Sequence, residues 1–544
     1  TMQREPVTHG SHVIGSVRGT SSHQYNPMMI LADENTTDQY GNCYAMSFVY
    51  SGNFKGETLK DQFGQTRALM GLQDEMFSYP LAEGETFYTP EVLLTFSGSG
   101  MNLLSQNLHR CIRQHICRGK YKESVRPVLV NSWEASYFDF DGDTLYELAK
   151  EAKHAGIDML VLDDGCFGKR DDDLAGLGDW TVNEKKLGMP LGKVAEKIRG
   201  LGMKFGIWIE PEMVCEDSDL YREHPDWAFT IPGRKPVRAR YQLVLDYSRK
   251  EVVDGIFAQI AKVLDDTKAD YVKMDMNRHL TDIWSKTAAE QNQGAILHRY
   301  VLGVYDFLER LHERYPDLLI EGCSGGGGRF DAGMLYYTPQ IWCSDNTDAV
   351  ERIKIQYGTS FAYPSCTVGS HVSAVPNHQT GRMTELATRA AVAMAGSFGY
   401  ELDLNLLTEE EKEQVREQIK NYHRFEMLIR QGRYYRLTDV WQKKEYAAWE
   451  YCRPDGSEAL VTVVTLDTQC NPATEYVKLR GLGEDKKYRV EVVGMQTGGE
   501  NGQRINGTPN SVEPEYYTGA QLVHAGLPVP RLGNEYKSWQ VYVK

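Results

Sequence analysis

The first 120 positions alternate between apolar and polar residues, with turns rich in Gly, Asn and Ser between the runs. The stretches 27–32 and 44–50 show this pattern, which is typical of short antiparallel strands. Positions 102–120 then have the pattern of a helix followed by a linker. Residues 1–120 are therefore predicted to form an N-terminal β-sandwich and its linker.

From position 126 the pattern changes to short apolar strands that alternate with amphipathic helices. The predicted strands are 127–133, 158–164, 204–210, 242–247, 271–275, 318–323, 340–345 and 367–372. The predicted helices include 144–155, 191–200, 250–265, 295–314 and 382–395. Eight strand-then-helix units predict a (β/α)₈ barrel over residues 121–431. A doubly wound open sheet is the alternative, although no Gly-x-Gly-x-x-Gly follows the first strand.

The last part of the chain returns to a strand pattern after a charged helix at about 408–431. Positions 446–451, 458–464 and 488–493 are predicted strands, and turns such as Pro454-Asp455-Gly456 separate them. Residues 432–544 are therefore predicted to form a small antiparallel β-domain. The expected fold is multidomain, with a central barrel between two β-domains.

Length and charge limit the classes of partner. A chain of 544 residues exceeds what one hydrophobic core usually supports, so several domains are expected. The net charge of −15 argues against nucleic acid or an anionic membrane as the main partner. The 32 Tyr and 9 Trp residues suit a carbohydrate ligand, and they equally suit a large core.

The cysteines and the chain ends bear on the cellular compartment. The ten cysteines are scattered without a Cys-x-x-Cys pair or metal-ligand spacing, which predicts reduced thiols and a cytoplasmic location. No signal peptide and no apolar run long enough to span a bilayer is present. Because the chain starts at Thr1, an export signal lost from the N-terminus is an open alternative.

Acidic and aromatic side chains follow nearly every predicted barrel strand, at the end where barrels carry their chemistry. Crowded carboxylates raise one another's pKa and cost stability, so their density predicts a catalytic or sugar-binding crater. With the other strand-end residues Arg240, Lys273 and Cys323, the set is Trp133, Glu134, Asp163, Asp164, Trp208, Glu210, Glu212, Asp246, Asp275, Asp345 and Asp348.

Two of these acids have the surroundings that glycosidic-bond chemistry requires. Asp275, on the fifth predicted strand, follows Lys273 by two residues, and an ammonium group keeps a nucleophilic carboxylate ionised. Asp345 lies beside Trp342 and Cys343, whose apolar surroundings favour a general acid. The alternatives are a surface Lys–Asp pair for Asp275 and an N-cap of the following helix for Asp345.

Two further motifs suggest ligand contacts. The doublet Asp163-Asp164 ends a strand and is able to accept hydrogen bonds from adjacent sugar hydroxyls, with metal binding as the competing use. The glycine run 325–328 after Cys323 lacks the Gly-Lys-Ser/Thr ending of a phosphate loop, and it is interpreted as allowing close backbone approach to a ligand. By base rate, Cys323 itself is more often a core residue.

Several runs together make the chain strongly resemble the α-galactosidases of glycoside hydrolase family 36 along nearly its whole length. The matching runs are RPVLVNSWE at 126–134, LDDG at 162–165, WIEPEMV at 208–214, KMDMNR at 273–278, CSGGGGRFD at 323–331 and SDNTD at 344–348.

The resemblance implies a retaining exo-α-galactosidase that acts on melibiose- or raffinose-type sugars and needs no cofactor or metal. By it, Asp275 is the nucleophile and Asp345 the acid/base, while Asp163 and Asp164 bind the O4 and O6 hydroxyls. The other expected binding residues are Trp133, Trp208, Arg240, Lys273, Asn277, Cys323 and Gly326. The alternatives are an α-N-acetylgalactosaminidase, a transglycosylase, or an inactive sugar-binding protein; the small Cys323 favours galactose.

The chain also departs from the family pattern. Met274, Tyr241 and Cys343 replace residues more usual in the family, and these changes are expected to retune the pocket without removing a reacting group. The N-terminal sandwich is expected to be shorter than in the family, with the family pattern starting near positions 15–23. Since that domain helps the family to assemble, a homo-oligomer is expected, a tetramer if the domain is complete.

Overall fold

A computed structural model describes residues 2–470, 473–494, 515–530 and 535–544. At its centre, eight parallel strands pair side by side and close into a barrel. The barrel strands are Leu129–Asn131, Met159–Leu162, Lys204–Ile209, Tyr271–Met274, Leu319–Gly322, Gln340–Trp342, Val368–Ser373 and Ser397–Glu401. The predicted fold class, with a β-domain on each side of the barrel, is confirmed.

A helix follows each barrel strand and covers the outside of the barrel. These helices are Gly142–Ala155, Leu191–Gly200, Lys250–Thr267, Ile296–Arg314, Ala332–Tyr337, Ala349–Thr359, Leu386–Ala393 and Glu409–Gln431. The first shows why such helices begin and end where they do. Asp141 accepts hydrogen bonds from the backbone N–H groups of Asp143 and Thr144, and Gly156 ends the helix in the left-handed conformation.

The prediction of residues 242–247 as a barrel strand is wrong. Leu243–Val244 instead pairs antiparallel with Met213–Val214 in a long insertion after the third barrel strand. Asp246, expected at the barrel rim, is buried in that insertion beside Ser248. Burial of the whole segment explains why its apolar pattern resembled a barrel strand.

The eighth strand of the barrel is Ser397–Glu401, which the strand count missed. An alanine-rich stretch runs directly into it, so the end of the preceding helix is hidden in the sequence. Its Gly399 also weakens the strand pattern, yet a Cβ there would lie 2.7 Å from the ring of His371. Asp275 therefore follows the fourth barrel strand rather than the fifth, and Asp345 follows the sixth.

The N-terminal part consists of two three-stranded antiparallel sheets. Their strands are Gly10–Gly15, Phe54–Lys60 and Thr66–Leu72 in one sheet, and Met28–Ala32, Cys43–Phe48 and Val92–Ser97 in the other. Helix Gly100–Cys111 then leads toward the barrel, and its Asn102 donates a hydrogen bond to the carbonyl of Arg436. This helix thus ties the N-terminal part to the C-terminal sheet.

The C-terminal part is a six-stranded sheet with its own apolar core. In spatial order its strands are Arg433–Arg436, Tyr446–Cys452, Ala459–Thr465, Ser538–Val543, Lys487–Val492 and Glu515–Thr518. The domain limits at 120/121 and 431/432 stay predictions. Within the described residues, no helix combines the length and the apolar character needed to cross a membrane.

Candidate active site

Asp275 lies at the rim of the barrel and accepts four hydrogen bonds. The backbone N–H groups of Gly325 and Met276 donate to its Oδ1 at 2.9 and 2.8 Å. The side chains of Asn277 and Trp208 donate to its Oδ2 at 2.8 and 3.3 Å. Four N–H donors around this carboxylate favour its ionised form.

The ammonium group of Lys273 adds to that effect without pairing directly with Asp275. Its Nζ lies 2.8 Å from Oδ2 of Asp163, and both side chains are buried, so the alternative of a surface pair is wrong. Burial alone would raise the pKa of Asp275, but the charge of Lys273 and the surrounding donors outweigh it. The pKa of Asp275 is therefore lower than usual.

A left-handed turn separates Asp275 from Asp345. Ser324 and the three glycines after it all have positive φ angles, between 60° and 92°. A Cβ on Gly326 would lie 2.4 Å from the backbone nitrogen of Asp345, and one on Gly327 would lie 2.5 Å from the carbonyl oxygen of Cys343. Only glycine fits this position, so the run serves close backbone packing between the two acids.

Asp345 is held in a different environment. Its Oδ1 accepts a hydrogen bond from the indole N–H of Trp342 at 3.0 Å, and Gln379 donates to its backbone carbonyl at 3.0 Å. Burial and the negative charge of Asp275 raise the pKa of Asp345. The alternative role as helix cap belongs instead to Asp348, which accepts hydrogen bonds from the first N–H groups of helix Ala349–Thr359.

The acidic doublet is buried and paired with nitrogen donors. Asp163 accepts hydrogen bonds from Asn131 at 2.6 Å and Lys273 at 2.8 Å. Asp164 accepts hydrogen bonds from Nε and Nη2 of Arg170, at 3.0 and 2.8 Å. Burial raises the pKa of Asp164 to about 6, although Arg170 counteracts it. Both acids remain acceptors with fixed orientations, as recognition of hydroxyl groups requires.

The remaining predicted binding residues differ in how close they lie to this centre. Trp208 and Asn277 contact Asp275 directly, and buried Cys323 starts the glycine turn, with a pKa raised by burial. Trp133 is half-buried and packs against Tyr137 and Phe138.

Arg240 lies on a turn of the insertion, and its contact is indirect. It is 44% exposed, and its guanidinium lies 3.4 Å from Asp173, which also pairs with Arg170. Arg240 and Tyr241 both have positive φ angles, which is unusual for side chains of this size. Arg240 thus reaches the doublet indirectly, through Asp173 and Arg170.

Sequence reasoning missed the residues that orient the predicted ones. Arg170 was missed because it lies within a loop, eight residues after strand Met159–Leu162 ends, rather than at the strand end itself. Glu210 was noted only as a strand-end acid, yet it accepts hydrogen bonds from the backbone and side chain of Asn277. Burial and the charge of Asp275 raise the pKa of Glu210 to about 8. Its position directly after a buried strand was the available signal.

Family models match the chain along most of its length. The Melibiase model matches residues 86–432, which is more than half of the chain. The models of the N-terminal and C-terminal domains of glycosyl hydrolase family 36 match residues 1–82 and 446–543. The chain belongs to glycosyl hydrolase family 36. The resemblance predicted from the motifs is thereby confirmed.

Relatives in family 36 are similar over the whole chain. The bifunctional α-galactosidase/sucrose kinase AgaSK of Mediterraneibacter gnavus is 58% identical over 99% of this chain and 54% of its own length. The α-galactosidase AgaA of Geobacillus stearothermophilus is 47% identical over 99% of this chain and 71% of its own. The chain thus spans about half of the first relative and just over two thirds of the second.

Solved structures of family 36 enzymes have the same fold. The galactosidase domain of AgaSK has a TM-score of 0.92 at 57% identity and covers 100% of this chain and 71% of that one. A variant of AgaA in complex with raffinose has a TM-score of 0.94 at 44% identity, covering 100% of this chain and 72% of that one. Another variant of AgaA was solved in complex with stachyose. All of these relatives carry the predicted enzyme class, α-galactosidase, in their names.

Proposed function

We propose that the chain is a retaining, exo-acting α-galactosidase that hydrolyses terminal α-galactosyl residues of raffinose-type sugars. One observation carries the proposal: two carboxyl groups flank a single glycine turn and have opposite pKa directions, lowered for Asp275 and raised for Asp345. Such a pair supplies an ionised nucleophile and a protonated acid at the same pH. The raffinose and stachyose complexes of AgaA variants support the substrate class.

In the first step, an oxygen of the Asp275 carboxylate attacks the anomeric carbon of galactose. The bond from that carbon to the leaving oxygen breaks, and the leaving oxygen takes the bond's electron pair together with the proton of Asp345. The product is a galactosyl ester of Asp275. The donors on Asp275 keep it ionised and hold it in one orientation before the attack.

In the second step, the now ionised Asp345 takes a proton from water. The water oxygen bonds to the anomeric carbon, and the ester bond breaks to return the carboxylate of Asp275. Each step inverts the anomeric carbon, so the released galactose has the α configuration of the substrate. Asp345 regains its proton in this step, ready for the next cycle.

Galactose recognition is assigned to the acidic doublet. Asp163 and Asp164 are fixed by Lys273 and Arg170, which leaves carboxylate oxygens in set directions for the O4 and O6 hydroxyls. A site built to bond a hydroxyl group strongly rejects an analogue that lacks it in that position. The doublet is thus the group proposed to distinguish galactose from glucose.

The test uses 4-nitrophenyl α-galactoside, methyl α-galactoside and raffinose. The wild type should hydrolyse all three, and NMR should detect α-galactose as the first product; β-galactose first would contradict the retaining mechanism. Asp275→Ala should abolish turnover of every substrate. In Asp345→Ala the rate of hydrolysis should fall far more with methyl α-galactoside than with the 4-nitrophenyl substrate, because the methanol leaving group needs protonation. Asp317→Ala, at an exposed ion pair with Lys120, is the matched control.

Two further expectations stay proposals. The resemblance to the family supports a homo-oligomer, and light scattering on the purified chain tests it, with a monomer as the contradicting result. The cytoplasmic location predicted from the scattered cysteines is likewise untested.

A further inference from the structure

A segment of the N-terminal part, residues 18–24, crosses to the catalytic face of the barrel. The backbone N–H of Leu280, five residues after Asp275, donates to the carbonyl of Arg18 at 3.0 Å. The backbone N–H of Ser22 donates to the carbonyl of Gly328 at 2.8 Å. The segment therefore contacts both the loop that follows the nucleophile and the end of the glycine turn.

His23, in this segment, makes the contact closest to the reacting groups. Its Nε2 lies 2.7 Å from the carbonyl oxygen of Gly325. A carbonyl only accepts hydrogen bonds, so Nε2 carries a hydrogen in this contact. The N–H of the same glycine donates to Oδ1 of Asp275 at 2.9 Å. Gly325 is thus hydrogen-bonded through its carbonyl to His23 and through its N–H to the nucleophile.

The glycine turn has two backbone hydrogen bonds of its own, from the N–H of Gly327 to the carbonyl of Cys323 and from the N–H of Gly328 to the carbonyl of Ser324, and outside contacts add to them. Glycine has the largest conformational freedom of any residue, so a run of three has many alternatives to the left-handed state. On the barrel side, Arg329 donates to the hydroxyl of Ser324 at 2.8 Å and pairs with the buried Glu212. On the opposite side, the contacts come from His23 and Ser22 of the N-terminal segment.

We propose that His23 is a positioning residue for the nucleophile, acting through Gly325. It holds the peptide groups of the turn so that the N–H of Gly325 points at Asp275. The N-terminal part of the chain would then contribute directly to the geometry of the active site. The inference rests on the proposed function, since it assumes that Asp275 attacks the sugar.

The experiment compares His23→Ala, His23→Gln and His23→Asn. A glutamine amide nitrogen occupies nearly the position of Nε2 and is able to donate to Gly325, whereas the asparagine amide is one bond shorter. Loss of one hydrogen bond of ordinary strength lowers a rate by about 3- to 10-fold. His23→Ala and His23→Asn should lower kcat/KM by that factor, and His23→Gln should restore most of the loss.

The choice of substrate separates this role from help to the acid. Misalignment of the nucleophile slows formation of the galactosyl ester with any leaving group. The decrease in kcat/KM should therefore be equal for 4-nitrophenyl and methyl α-galactosides. The thermal midpoint of unfolding should stay within the range of the control. His12→Ala is that control, because His12 is a half-buried histidine on strand Gly10–Gly15 in the same N-terminal part, away from the glycine turn.

Three results would overturn the inference: unchanged kcat/KM in His23→Ala, a loss confined to methyl α-galactoside, or a loss that His23→Gln does not repair. If the alanine variant fails to fold, the glutamine and asparagine variants carry the comparison. A wild type that cleaves neither galactoside would instead reject the proposed function itself, so the two failures are distinguishable.

Discussion

At the scale of residues, the two proposed reacting acids differ in what surrounds them. Asp275 accepts hydrogen bonds from four N–H donors and feels the charge of Lys273. Asp345 accepts one from Trp342, and burial dominates its environment. The same side-chain type is thus prepared for opposite protonation states within one site.

This difference predicts a bell-shaped dependence of kcat/KM on pH. Activity should fall on the acidic side as Asp275, whose pKa is lowered, takes up a proton. It should fall on the alkaline side as Asp345, whose pKa is raised, loses its proton. Rates with methyl α-galactoside across the pH range measure both limbs. In Asp345→Ala the alkaline limb should disappear with 4-nitrophenyl α-galactoside; its persistence would assign that limb to another group.

A methyl group on the glycine turn should be enough to disable the site. Gly326→Ala places a Cβ 2.4 Å from the nitrogen of Asp345 in a backbone of positive φ, so kcat/KM should fall about 100-fold or more. Gly64→Ala is the matched control, since Gly64 also has positive φ but nothing within 4 Å of the new atom. That variant should keep full activity, and a similar loss in both would implicate backbone strain alone.

Sequence patterns predicted the strand-end positions of the two proposed reacting acids because strand ends are positions that a linear pattern marks. Asp275, Asp345 and the doublet all follow barrel strands and meet at one rim. Their partners were hidden because loops bring them in: Arg170 reaches Asp164 from a loop six residues downstream. The choice between Asp345 and Asp348 as helix cap also required the structure, since both precede the helix.

At the scale of elements, helix Ala349–Thr359 returns to hold the loop that carries Asp345. The guanidinium of buried Arg352 donates to the carbonyls of Ser344 and Asn346, each at 3.0 Å. It also lies 4.2 Å from the ring centre of Trp342, which bonds Asp345. One side chain of the helix thus fixes both the loop and the indole.

Arg352→Lys should weaken the proposed acid selectively. A lysine keeps the charge but loses the planar fork, so the two carbonyl contacts and the stacking are not reproduced together. We expect kcat/KM for methyl α-galactoside to fall about 10- to 100-fold, with a much smaller change for the 4-nitrophenyl substrate. Arg416→Lys, on the exposed face of helix Glu409–Gln431, is the control. Equal losses on both substrates would contradict this role.

The elements themselves were largely predictable, and the two errors in the barrel have physical causes. Seven of the eight barrel strands were found because parallel strands buried on both faces appear as short apolar runs. Such a run does not specify its pairing partner, so Leu243–Val244 in the insertion was counted as part of the barrel. Ser397–Glu401 was missed because its glycine interrupts the apolar run and the alanine-rich helix before it hides where the strand begins.

At the scale of the whole molecule, the barrel is held between the two β-domains by polar contacts as well as apolar ones. Arg436, at the start of the C-terminal sheet, pairs with Asp38 of the N-terminal part and stacks on Phe361 of the barrel. With the segment at 18–24, such contacts make the flanking domains part of the support of the catalytic rim.

A buried acid in the C-terminal sheet should make the stability of the molecule depend on pH. Burial raises the pKa of Glu450 to about 8 from the ordinary 4.5. The unfolded chain therefore releases this proton at lower pH than the folded one, and stability is lost as pH rises from about 4.5 to about 8. The loss is about 1.4 kcal/mol per pH unit between these values.

Glu450→Gln removes this dependence while preserving the shape of the side chain. Its unfolding midpoint, relative to the wild type, should rise steadily between pH 5 and pH 8 and level off above, as thermal unfolding at several pH values measures. Glu409→Gln, at an exposed position on a helix, should show no such trend. A constant difference between Glu450→Gln and the wild type would contradict a buried, protonated Glu450.

The glycine turn also limits how this proposed active site is able to evolve. Main-chain atoms, rather than side chains, set the spacing between Asp275 and Asp345, because Gly325 bonds one acid and Gly326 packs on the other. Every single-base change of a glycine codon that alters the residue adds a Cβ. Random mutagenesis under selection for activity should therefore leave this turn unchanged while the surrounding loops diversify. New substrate preferences must therefore arise from substitutions at the rim, because no single substitution in the turn changes the distance between the two acids by a small amount.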